Sequence, residues 1–227
     1  LVLFAFVCLV PFLNLLATSL SSNDAVNAGA VGFLPVGITG TAYKILMSKT
    51  EFFRDFGYSV LRVVTGTVLS LVVITLGAYP LSKTSSVFRG RGFYVVFFTV
   101  TMFFSGGLVP TYIIITRLHL NNTIFALILP TAMNAWNMVL LINFFRQVPK
   151  ELEEAAKIEG AGHYRVLVQI VLPVSLPAIA TVVLFTAVQH WNAWFDGTIY
   201  MQPAKLPLQS YIYNMINEAN TLRQNLT

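Results

Sequence analysis

Apolar positions in this chain run together in long windows, and the polar positions gather between them. Leu1–Asn23, Val63–Ser82, Phe93–Thr116, Asn121–Phe145 and Val166–Phe195 each go at least 20 residues without an Asp, Glu, Lys or Arg. A helix needs about 20 residues of this kind to cross the hydrocarbon of a bilayer. Open sheet would leave backbone groups unpaired in lipid, so the windows read as helices. The pattern predicts an all-α fold, a polytopic transmembrane helical bundle. It is read as one domain over residues 1–227, with spans at about 1–20, 58–81, 92–116, 122–145 and 167–191. The windows fill more than half the chain, which excludes a large soluble protein with buried helices.

Composition sharpens the picture. The chain is 56% hydrophobic and 10% charged, where a soluble domain carries about 25% charge. Formal net charge is +5. The cations sit in short connections at span ends, so the positive-inside rule accounts for them and no nucleic-acid partner is implied. The connection between segments two and three holds Lys83, Arg89 and Arg91 with no acid, and the one between four and five holds Arg146, Lys150, Lys157 and Arg165. Both are therefore placed in the cytoplasm, although the whole-chain tally of cations is even. Cys8 is alone, which leaves no disulfide framework. The first window is too long and uninterrupted for a cleaved signal, so it reads as a retained span whose true N-terminus lies upstream. The polar stretch 21–55 is long for a loop and predicts local structure, with a short helix near Tyr43–Met47. Arg62, near one end of segment two, is expected to snorkel to the interface. Residues 196–227 are polar and do not read as a span.

Between segments four and five lie a cytoplasmic coupling loop at 149–165 and, overlapping it, a polar, glycine-containing island from Glu154 to Pro173. Pro149 suits the first turn of a helix. Glu151, Glu153 and Glu154 would then sit near the positive end of its dipole, and Glu153 and Lys157 are spaced to pair. Leu152, Ala155, Ala156 and Ile158 offer a small apolar surface. Gly160 and Gly162 should stop the helix, and a second helix should start near His163. A helix–turn–helix on a membrane face suits docking by a soluble partner. The other reading, a linker resting on lipid headgroups, fits the acid cluster less well, because anionic surfaces favour basic helices.

The island reads Glu154-Ala155-Ala156, then Gly160-Ala161-Gly162, then Ile170-x-Leu172-Pro173. It resembles the signature loop of ATP-binding-cassette (ABC) importer permeases, with Glu159 where the sugar branch usually has Asp. Phe144-Phe145-Arg146-Gln147-Val148-Pro149 resembles that family's lead-in. Pro110-Thr111-Tyr112 with Leu118-x-Leu120-x-Asn122-Thr123 resembles its segment-three exit, and Trp191-Asn192-Ala193-Trp194-Phe195 its segment-five close. The likeness is to the maltose-permease-like group. Ala25-Val26-x-Ala28-Gly29 and Pro35-x-Gly37 point within it to the branch for larger oligosaccharides and lipid-like or pectin-derived saccharides. The resemblance implies one permease subunit of an ATP-driven, binding-protein-dependent carbohydrate importer in the bacterial cytoplasmic membrane. It implies a second permease, two ATPase subunits and an extracytoplasmic solute-binding protein as partners. Glu154, Ala155, Ala156, Gly160, Ala161 and Gly162 would couple to the ATPases. Such permeases have six spans, so a sixth is expected beyond this sequence.

The polar residues within the windows yield the remaining candidates. Asn134, Trp136 and Asn137 lie mid-segment four, and Trp191 and Asn192 close segment five. Polar groups in hydrocarbon usually face protein or a wet cavity. They either line a sugar path, with Trp stacking and Asn bonding hydroxyls, or bond helix to helix and form an interfacial belt. Phase arithmetic on a continuous helix centres a wet face near Asn137. His163 has no histidine or carboxylate neighbour suited to a metal and reads as a loop residue. There is no phosphate-cradling Gly-x-x-x-x-Gly-Lys-Ser/Thr motif. The chain is therefore expected to be non-catalytic and to hold no cofactor, ATP and Mg being bound by partner ATPases. An ion-coupled secondary transporter, an ABC permease for a non-sugar solute and a membrane-embedded enzyme are the rival readings.

Overall fold

The structure, a computed structural model, describes residues 2–225. Helix dominates, and no strand occurs among the described residues. The chain packs as two compact units, residues 1–54 and 55–227.

In the first unit, α1 (Val2–Ser19) is followed by a loop that folds back along its own end. The Ser21 hydroxyl donates to the Ala17 carbonyl at 2.7 Å and accepts from the Val36 amide at 3.0 Å. The Thr39 amide donates to the Leu20 carbonyl at 2.9 Å. Ser22 caps the short α2 (Asn23–Asn27), as its hydroxyl is built to do. The helix expected near 43–47 is present as α3 (Thr41–Ser48).

In the second unit the longest element is α4 (Thr50–Ser82), which begins at the end of the first. It is the one described helix that is by itself long and apolar enough to cross a membrane. One side of it is buried: Asp55, Ser59, Arg62, Gly66, Ser70, Ile74, Ala78 and Leu81 recur every three or four residues, the spacing of one helix face. The other side exposes Val60, Val64, Val68, Val72 and Leu76, a stripe that only lipid or another chain would cover.

The window at 92–116 divides into α5 (Arg91–Phe103) and α6 (Leu108–Arg117), bent by 114°. Gly107 at the break has φ +81°, a conformation open to glycine and costly for other residues. The window at 122–145 divides into α7 (Ile124–Ile128) and α8 (Ala135–Phe145), with Pro130 between them. Next come α9 (Lys150–Ile158) and α10 (His163–Val166). A π-helical turn, Leu167–Val171, leads into α11 (Leu172–Val174) and α12 (Leu176–Asn192), with an 83° bend at Ser175. Pro173 and Pro177 flank the bend. Each lacks an N–H and crowds the preceding turn, which breaks a helix or forces a wider one. The polar stretch that does not read as a span carries α13 (Phe195–Tyr200) and α14 (Leu208–Asn225), joined by a 3₁₀ turn. By length and composition, one described helix qualifies as a span, or up to three if each bent pair is one span; short-range glycine and proline chemistry, invisible to a count of charges, sets the bends.

Two apolar clusters hold this unit together. One joins Ile74, Ala78 and Leu81 of α4 to Met138, Leu141 and Phe145 of α8, Val166 of α10 and Val182 of α12. The other joins Ile115 of α6, Leu127 of α7 and Tyr200, Met201 and Leu206 around α13.

Candidate functional site

α9 starts just after Pro149, with Glu151 and Glu153 in its first turn and Lys157 in its last, the arrangement its dipole favours. It ends in a Schellman turn: the Ala161 amide donates to the Ala156 carbonyl at 2.8 Å, and the Gly160 amide to the Lys157 carbonyl at 3.0 Å. Gly160 carries φ +84°, so the turn requires glycine there. Gly162, at φ −72°, is the extended residue before α10. The helix stop predicted from two glycines therefore rests on Gly160 alone.

The faces of α9 are unequal. Glu153 is buried, and Ala156 and Ala161 pack on the α4–α8–α12 cluster. The opposite side exposes Glu151, Glu154 and Ala155, together with Leu152 and an 88%-exposed Ile158. Tyr164, just beyond the turn, is 78% exposed. The six residues predicted to couple thus have different roles. Glu154 and Ala155 face outward, Ala156 and Ala161 fasten the helix inward, and Gly160 and Gly162 shape the chain between α9 and α10.

Glu153 does not pair with Lys157. Lys83, at the end of α4, donates to Glu153 Oε1 at 2.5 Å, and both side chains are almost buried. The Lys83 ammonium also lies 4.3 Å from the Tyr79 ring centroid, in cation–π geometry. Glu153 faces the core, where a buried carboxylate needs a cation, while Lys157 points to water. Arg146, in the connection between α8 and α9, has its pKa lowered by desolvation and then by the charge of Arg91.

A second ion pair lies further up α4. Arg62 is only 1% exposed. Its Nη1 donates to Asp196 Oδ1 at 3.0 Å and to the Ala193 carbonyl at 3.1 Å, and its Nη2 donates to Asp196 Oδ2. The expected snorkelling does not occur, because the guanidinium finds a bidentate carboxylate inside the unit. Around this pair the Ser59 hydroxyl accepts from the Leu208 amide at 2.7 Å, and the Ser210 hydroxyl donates to the Trp194 carbonyl at 2.6 Å. Asn122 ties in the segment-three exit, its amide donating to the Tyr200 carbonyl at 2.8 Å. Neither ion pair was found from the sequence. The available signal was Arg62 itself: a cation at the edge of a charge-free window calls for a partner, and Asp196 is the acid that follows segment five.

The proposed path residues do not form one group. Asn134 is not mid-helix. It caps α8, with Oδ1 accepting from the Asn137 amide at 3.1 Å. The phase arithmetic fails for it, since its backbone is extended. Asn137 is 4% exposed and donates to the Thr186 hydroxyl of α12 at 3.4 Å. Trp136 is 66% exposed. Trp191 sets its ring edge-on to Phe56 at 5.9 Å, and Asn192 is exposed. No hydrogen bond or ring contact joins the α8 trio to Trp191 or Asn192 among the described residues.

Bent apolar helices thus carry an amphipathic helix–turn–helix held against their core. Residues 80–220 match the model of the binding-protein-dependent transport system inner membrane component family. The chain is 37% identical over 217 residues to the polygalacturonan/rhamnogalacturonan transport system permease protein YtcP of Bacillus subtilis, covering 95% of this chain and 75% of that protein. It is 39% identical over 204 residues to Protein LplC of the same organism, covering 89% and 68% respectively. In structure it matches a bacterial ABC transporter involved in the import of the acidic polysaccharide alginate, with TM-score 0.88 and 33% identity, over 93% of this chain and 75% of that one. The chain belongs to the binding-protein-dependent transport system inner membrane component family. It is an ABC transporter permease, a kind of subunit that works in the inner membrane with a partner permease, ATPases and a binding protein.

Proposed function

We propose that this chain forms one half of the translocation pathway of an importer for oligosaccharides, acidic ones of the uronic type foremost, and that the segment from Pro149 to Arg165 receives the force of ATP hydrolysis. The substrate class rests on the similarity to the polygalacturonan/rhamnogalacturonan permease and to the alginate importer. The coupling role rests on one observation: α9 is anchored along one side and bare along the other. Ala156, Ala161 and the Lys83–Glu153 pair fix the inner side to α4 and the core. Ile158, Leu152, Ala155 and Glu154 leave an apolar strip with an acidic edge for an ATPase subunit. A push on that strip is carried to the spans through rigid contacts. Substrate moves because ATP and the external binding protein favour different conformations. ATP and Mg belong to the partner ATPases, and this chain performs no catalysis. Trp136, two-thirds exposed, and Asn192, also exposed, are the path residues best placed to meet a sugar.

Glu154→Lys reverses the outer charge, and Gly160→Val forces a β-branched residue into the left-handed region. Both variants should reach the membrane in normal amount and lose uptake and transport-stimulated ATP hydrolysis. Normal uptake by the Gly160→Val protein would refute the coupling role. The orientation is checked separately: a cysteine at Ser85 should be labelled only from the cytoplasm, and one at Asn27 only from outside.

A further inference from the structure

A pocket of about 550 Å³ opens between the end of α4, the start of α5 and the inner edge of α9. Five cations line it, Lys83, Arg91, Arg146, Lys150 and Lys157, against two carboxylates, Glu153 and Glu154. Lys83 is committed to Glu153. Arg91 is oriented by its Nε, which donates to the Leu81 carbonyl at 3.0 Å. No ion pair joins Arg91 or Arg146 to a carboxylate among the described residues. The two guanidiniums are close enough that Arg91 disfavours the charged form of Arg146. Two neighbouring guanidiniums without a counter-charge are stabilised by an anion, and their planar donor forks match a phosphate group. The hydroxyls of Thr84 and Ser86 at the rim, bonded to one another at 2.8 Å, add donors.

We propose that this pocket binds a phosphate group, and that an anionic phospholipid headgroup supplies it. The pocket begins within a turn of the end of α4, the described helix long and apolar enough to cross a membrane, and so falls where that span would leave the hydrocarbon. Val87, Phe145 and Val148 give one wall the apolar character a glycerol or acyl stem needs. The cytoplasmic leaflet is rich in anionic lipid. The site lies beside the inner edge of α9 and shares only Glu154 with the outer strip, leaving Leu152, Ala155 and Ile158 free, so it stands whether or not that strip receives an ATPase.

The test is native mass spectrometry of the full-length permease, co-purified with its partners in detergent and titrated with phosphatidylglycerol or phosphatidylcholine. Phosphatidylglycerol should be retained about tenfold more tightly, the scale of one or two charge-assisted hydrogen bonds. Arg91→Gln with Arg146→Gln should abolish the preference. Lys150→Gln with Lys157→Gln changes only exposed side chains, guards against misfolding, and should reduce the preference severalfold. Competition by inorganic phosphate without any lipid preference would uphold the phosphate site and reject the lipid as its source. Equal retention of both lipids by wild type and variants, with no effect of inorganic phosphate, would overturn the proposal.

Discussion

α4 carries two ion pairs to later parts of the chain, one at Arg62 within its N-terminal half and one at Lys83 just past its C-terminal end, and the pairs are built differently. Arg62 and Lys83 stand about 30 Å apart along the axis, at about 1.5 Å per residue, close to the thickness of a bilayer's hydrocarbon. At the Arg62 end the contact is bidentate, reinforced by the Ala193 carbonyl and backed by the serine hydroxyls of Ser59 and Ser210. It joins α4 to the α12–α13 junction and the start of α14 as a fixed joint. At the Lys83 end one ammonium meets one carboxylate and one ring, beside an open, basic pocket. α9 is held there by that contact and by alanines. One helix thus carries a rigid joint and a lighter attachment, and the lighter one lies next to the strip left bare for a partner.

The largest effect should come from breaking the rigid joint. Asp196→Asn strips the counter-charge from a buried guanidinium, and breaking a buried pair in this way costs about 3–5 kcal/mol. The permease should unfold at markedly lower temperature in detergent, whereas Arg62→Met with Asp196→Leu should recover most of the loss. A double variant no better than Asp196→Asn alone would mean that the surrounding hydrogen bonds, and not the charges, make the joint.

Lys83→Met tests the lighter attachment. Here the expected cost to stability is smaller, about 1–2 kcal/mol, because Glu153 lines an open pocket whose other cations can take the place of Lys83. Uptake per assembled complex should fall more than stability does, since α9 would lose its link to α4. Stability and uptake falling in proportion would make the Lys83 end a second structural joint and erase the contrast.

The smallest effects separate packing from path. Asn137→Leu removes one long interhelical bond, worth about 0.6 kcal/mol in membrane proteins. It should lower the amount of assembled complex slightly and leave uptake per complex unchanged. Trp136→Ala should do the reverse, slowing uptake with assembly intact. Slow uptake by the Asn137→Leu protein at normal assembly would return Asn137 to the sugar path.

Much of this protein was legible in its residues. Charge-free windows dictate helices because lipid offers no partner to an open backbone, and the chain is all-α. The island from Glu154 to Pro173 announced a helix, a stop at Gly160 and Gly162 and a second helix at His163. The turn formed at Gly160 alone, because a left-handed residue leaves a local signature, a glycine after a short amphipathic run. The family was legible for the same reason: a loop shaped by local chemistry keeps a recognisable string of residues. What the sequence left open depends on residues far apart along the chain. Glu153 had Lys157 four residues away as the obvious partner, yet it pairs with Lys83, seventy residues earlier, because α9 lies with Glu153 turned toward the core. Arg62 looked free to reach water, and only the return of the chain at Asp196 gave it a carboxylate partner inside the unit. Asn137 sat on a predicted wet face, until the break at Asn134 reset the start of α8 and turned it toward Thr186. Local rules set which segments are helices and where they stop. Which face each helix presents, and therefore which charges meet, was decided by packing alone.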